Sequence, residues 1–157
     1  MLNMAEALGI ASGIAGLLSL TIEVYRISAT YVSGVHGATK AIHDLLRELK
    51  HLKKVLLELD ELATSLNGED LFGAKPSSLQ KVEDAAEYQD TLREMCQKLQ
   101  ERMKGSRLSV KLKSLTWPFT ETKTNAIVAV LRRYLAICQA ALNIDTLFVY
   151  LILCLSR

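Results

Sequence analysis

The sequence is poor in the residues that break helices. Only two prolines, Pro76 and Pro118, occur among 157 residues, and aromatic residues make up 6 %. Three cysteines, Cys96, Cys138 and Cys154, are an odd number set far apart. They supply neither a disulfide framework nor a zinc spacing, which makes a reduced, cytoplasmic compartment the default. A net charge of +2 is too small to imply a nucleic-acid partner, and no stacking aromatics interleave the basic residues. Met1 to Glu6 contains no Lys or Arg, so the basic start of a signal peptide is missing. There is no G-x-x-x-x-G-K-[ST] loop to cradle nucleotide phosphates.

What is present is helical periodicity in a chain half hydrophobic and large enough for one core. A first segment runs from about Ala5 to Val32 and breaks at Gly34 and Gly37, with Thr39 placed to cap the next helix. A second spans about Ala38 to Leu62. Its Leu45, Leu49, Leu52, Leu56, Leu59 and Ala63 alternate steps of four and three, widened by Ile42, Leu46 and Val55. Arg47, Glu48, Lys50, Lys53, Lys54, Glu58 and Glu61 are its expected wet side. The stretch from Thr64 to Ser78 reads as a loop. A third helix opens near Pro76, with Val82, Ala85, Tyr88, Leu92, Met95, Leu99 and Met103 as its stripe. After a segment bracketed by Gly105 and Pro118, a fourth runs from about Thr120 to Asn143 on Ile127, Leu131, Tyr134, Cys138 and Ala141. This predicts an all-α protein, an antiparallel four-helix bundle with room for one short extra helix.

The opening stretch "AEALGIASGIAGLLSLTIEV" is the most unusual. No charge lies between Glu6 and Glu23, yet Gly9, Gly13 and Gly16 interrupt an apolar run that includes Leu17, Leu18 and Leu20. Glycine inside a helix costs about 1 kcal/mol relative to alanine. Glycines spaced as G-x-x-x-G let two helices approach closely, so the first helix is expected at the bundle centre with its small face buried against neighbours, or able to leave the bundle and associate with copies of itself in lipid; the sequence permits both. Leucine substituted there would then overpack by about 1–3 kcal/mol. The uncharged window is short for a bilayer span.

Catalytic groupings are weak. His36, His43 and His51 share one region, but His43 and His51 stand two turns apart and no further ligands complete a metal set. Cys96 and Cys138 fall in apolar stripes, where cysteine acts as a small hydrophobe. No cofactor is implied. A basic run, Arg102, Lys104, Arg107, Lys111 and Lys113, has no acid between Glu101 and Glu121 and closes on Trp117 and Phe119. It reads either as a wet connection with Trp117 covering the bundle end, or as contacts to anionic lipid headgroups.

Three stretches carry a family resemblance: "MAEALGIASGIAGLLSLTIEVYRISATYVSGV", "IHDLLRELKHLKKVLLELDEL" and "LTWPFTETKTNAIVAVLRRYLAICQAALNID". Together they resemble the HeLo-like N-terminal helical domain of fungal STAND proteins, NLR-like receptors in which it precedes a NACHT module. The domain is also named after an azaphilone pigment cluster protein. The resemblance covers Met4 to Asp145. It implies a non-enzymatic cell-death or incompatibility effector that forms homo-oligomers on a signal from a receptor or NACHT-type partner. Its first helix would then perturb the plasma membrane, a role carried by position onto Gly9, Gly13, Gly16, Leu17, Leu18 and Leu20. Glu6 and Glu23 match the acids that bound such helices.

The 157 residues hold no nucleotide-binding module, so the chain alone is not expected to sense nucleotide. Residues 1–145 are expected to form the bundle domain. Residues 146–157 are expected to be an apolar tail and no separate domain, uncharged from Leu147 to Leu155 and too short to span; it reads as a fifth packing segment, a lipid-facing tail or the product of an altered gene end. The competing expectation is a structural protein-interaction bundle with no membrane activity.

Overall fold

The computed structural model describes residues 9–35, 37–68, 81–107 and 116–155. Four helices account for most of them: α1 Gly9–Ser33, α2 Lys40–Gly68, α3 Ala86–Arg107 and α4 Glu121–Leu155. Among the described residues there is no strand. The all-α class read from periodicity therefore holds.

The expected stripes form the core. Leu45, Leu49, Leu52, Leu56 and Leu59 of α2 are fully buried, as are Val82, Leu92, Met95 and Leu99, and Leu131 and Cys138 of α4. From α1 come Ile14, Leu17, Thr21, Val24, Ile27 and Tyr31, spaced by three and four residues along one face, with Leu18 beside them. At about 1.5–3 kcal/mol for each large apolar side chain removed from water, this shared burial is the main force holding the helices together.

Side-chain pairs give the sense in which neighbours run. Gly13 lies against Glu83, Thr21 meets Tyr88, and Thr30 shares a groove with Met103 and Lys104. Both residue numbers rise together, so α1 and α3 run parallel. Glu48 bonds Arg132, while Glu58 lines a groove with Leu142 and Asn143, so α2 and α4 also run parallel. Against α3, α4 runs the other way: Lys123 reaches Glu94, and Tyr134 reaches Val82. Neighbouring pairs are thus of both senses, not antiparallel throughout. The connection lengths explain it. Residues 34–39 hold α1 beside α2, whereas the 17 residues between Gly68 and Ala86 leave α2 and α3 free to occupy opposite corners.

Several boundaries differ from the sequence reading. α2 continues to Gly68, because Ala63 keeps to the buried stripe and no breaker intervenes. The helical turn at residues 81–83 stops at Asp84 and Ala85 before α3 begins, and Pro76 lies outside the described residues. Gly105 does not end α3, which runs to Arg107. No break falls at residue 145, because α4 passes through it to Leu155.

Local chemistry fixes the turns. Thr39 precedes α2, and its carbonyl accepts from the Ile42 and His43 amides. Gly37 holds φ of +76° in the α1–α2 turn, a region costly for side chains. Thr120 caps α4: its Oγ1 accepts from the Lys123 amide at 3.1 Å. Above it, the Trp117 indole N–H donates to Thr124 Oγ1 at 3.0 Å, and the Trp117 ring meets Tyr31 edge-on at 5.9 Å. The Tyr31 hydroxyl donates to the Thr116 carbonyl at 2.6 Å. Trp117 and Phe119 therefore pack over the core beside the end of α1 and the start of α4; of the two, the sequence reading had set only Trp117 over a bundle end, as one of two alternatives.

Candidate functional site

The groups most suited to chemistry are buried and held neutral. The Thr21 hydroxyl donates to the Leu17 carbonyl at 2.7 Å, so the Tyr88 hydroxyl, also 2.7 Å away, donates to Thr21. Tyr88 stacks on Tyr134 with ring centres 4.0 Å apart, and Tyr134 donates to the Val82 carbonyl at 2.8 Å. Burial raises the pKa of both phenols far above the usual range. It also pushes the Cys138 thiol up to about 12. A thiol so placed is not a nucleophile near neutral pH; the set ties α1, α3 and α4 together.

The residues expected to act in α1 divide between two faces. Leu17 and Leu18 are buried in the core, and Leu20 is half-buried against it. Gly9 is the first residue of α1. Gly13 and Gly16 face outward, joined by Ser19 and Ile22. A Cβ on Gly16 would meet nothing within 4 Å, and one on Gly13 would meet only the Glu83 side chain, at 3.1 Å. The expectation that the glycines admit a neighbouring helix fails at Gly16, whose surroundings are open, whereas Gly13 is approached by the Glu83 side chain. The buried stripe is carried by Ile14, Leu17, Leu18 and Thr21, which turns Gly16 to water. α1 is not buried all round. Of the bounding acids, Glu23 pairs with Arg26 at 2.7 Å, and Glu6 lies outside the described residues.

Among the described residues, the basic run is not brought to Gly13 and Gly16. Arg102 and Lys104 are exposed and Arg107 ends α3; Lys111 and Lys113 lie outside the described residues. Lys104 shares a groove with Thr30, near the far end of α1. Gly16 and Thr30 are separated by about 21 Å of helix. Among the described residues, Lys104 thus lies toward the opposite end of α1 from Gly16.

His43 and His51 are exposed, and His36 lies outside the described residues. His51 Nδ1 stands 3.9 Å from Glu48. Among the described residues, no group of three or more His, Cys, Asp or Glu side chains could hold a metal. Glu48 corrects the sequence reading: it is buried, not wet, and Arg132 Nε donates to it at 3.2 Å, with Arg47 at 3.7 Å. Its place beside Leu45, Leu49 and Leu52 was the available signal.

The sequence marked the apolar 146–157 stretch but not that α4 runs on to carry it as far as Leu155. Ile144, Leu147, Leu151 and Leu155 are all exposed, where the tail extends the helix. Within α4, Glu121–Ile144 is long and apolar enough to cross a membrane by length and composition, with mean hydropathy 1.4 and a third of its most apolar window buried. Core helices pass the same criterion. Compared with known proteins, the chain matches no family model, no curated protein and no solved structure.

Proposed function

We propose that the chain is a non-enzymatic helical effector domain of the HeLo-like kind, with successive helices reversed. In this reading it associates with itself and perturbs membranes through α1, triggered by a receptor or NACHT-type partner. The supporting observation is the outer face of α1, where Gly13, Gly16, Ser19 and Ile22 are exposed without a charge among them. A surface helix ordinarily keeps charged residues on that side. Moving the Gly13–Ile22 stretch into lipid would strip water from the Ser19 hydroxyl. The Glu23–Arg26 ion pair lies one turn further along the same face, and Glu83 lies beside Gly13. Leu17 and Leu18 would exchange one apolar surrounding for another. The burial of those two leucines equally suits a structural interaction bundle, so the test is functional.

Dye release from liposomes containing anionic lipid decides between them. Wild-type protein is expected to release dye, and Gly16→Glu to release several-fold less, because a carboxylate then enters the uncharged face. Open space around Gly16 lets the variant fold, which circular dichroism checks. Equal leakage from a folded Gly16→Glu protein would remove α1 from the mechanism, and no leakage from either would favour the interaction bundle.

A further inference from the structure

α4 carries an apolar surface that neither the core nor the proposed action of α1 uses. Ile137, Ala140, Ile144, Leu147, Leu151 and Leu155 follow one another in steps of three and four, which sets them in one line along the helix. All six are exposed, the five large ones by 41, 57, 65, 61 and 85 %. At the start of the line an adjoining side of the helix faces the core through Cys138 and Ala141.

We infer that this line is a dimer interface, covered by the same line on α4 of a second copy. The spacing is that of a two-helix seam, in which each apolar knob enters a hole on the facing helix. At roughly 100 Å² of apolar surface per large side chain, five from each copy approach the ~1,000 Å² at which specific interfaces begin. A symmetric pair satisfies both surfaces at once, because each line meets its own copy. A flat bilayer fits less well. The line starts on the flank of the bundle, where the Arg133–Glu87 ion pair is exposed one turn before Ile137; a flat lipid surface covering Ile137 would also cover that pair, whereas a helix seam beginning at Ile137 leaves it in water.

Sedimentation velocity of the full chain in reducing buffer, across the micromolar range, tests the inference. Wild-type protein is expected to pass from monomer to dimer with concentration. The Leu147→Asp/Leu151→Asp variant should dimerise at least ~100-fold more weakly. Leu57→Asp, at an exposed leucine of α2 outside the line, should dimerise as wild type does. All these positions face water, so unchanged helical signal and melting temperature are expected. A wild-type monomer at every concentration, or an undiminished dimer in the double variant, overturns the inference. So does a monomer that binds phosphatidylcholine–phosphatidylserine vesicles through Leu147 and Leu151, which would assign the line to lipid. The inference does not depend on the membrane reading of α1: a dimer that releases no dye leaves it standing.

Discussion

Gly16 is where expectation and structure part most clearly at the scale of single residues. Its spacing from Gly9 and Gly13 was legible, but spacing alone does not say which side of a helix a neighbour occupies. That was set by Ile14, Leu17, Leu18 and Thr21, whose burial turns Gly16 outward into open space. Gly16→Ala is therefore expected to stabilise the fold by about 0.5–1 kcal/mol through helix propensity, read as a higher urea midpoint with unchanged slope. Gly13→Ala should gain less, because the Glu83 side chain must shift to admit the methyl group. Glu48 teaches the complementary lesson. A charge at the edge of an apolar stripe looks wet until its partner is known, and Arg132 is 84 positions away.

For whole elements, the repeating threes and fours of α2, α3 and α4 fixed most of the core before any coordinates, because one apolar stripe suffices to say which face is dry. Ends were harder. α2 ran past its expected stop, and α3 was interrupted at Asp84 and Ala85, since terminal turns depend on contacts that periodicity does not record. Thr120 was placed at the start of the last helix without its capping role being recognised. Its hydroxyl accepts from the Lys123 amide, while its carbonyl accepts from the Thr124 amide and hydroxyl. Thr120→Ala is expected to cost about 1 kcal/mol, whereas Thr120→Ser should restore most of it; thermal unfolding of both variants checks the pair.

Across the whole molecule, the arrangement of helices was the least legible part. Which helices adjoin depends on the long connections, and the sequence offered no preference between a corner and a diagonal. One consequence is testable through pH. Cys138, Tyr88 and Tyr134 bind α4 to α1 and α3 as neutral groups, and burial raises all three pKa values. The unfolded chain ionises first, with the thiol near its ordinary 9.0. Stability should be full below pH 9 and decline as pH climbs toward 12. Cys138→Ala should lessen the thiol's part of that alkaline slope in denaturant titrations, and an unaltered slope would assign the loss to the phenols alone.

α4 is one uninterrupted rod of 35 residues, about 52 Å from end to end. It is pinned at one end by Thr120 and the Trp117–Thr124 bond and carries its greasiest surface at the other. Ile127, Leu131, Tyr134, Cys138 and Ala141 hold its middle against the other helices, so among its described residues the most exposed large apolar side chains are those of the last turns, Ile144, Leu147, Leu151 and Leu155. A charge introduced there meets solvent without disturbing the packing below.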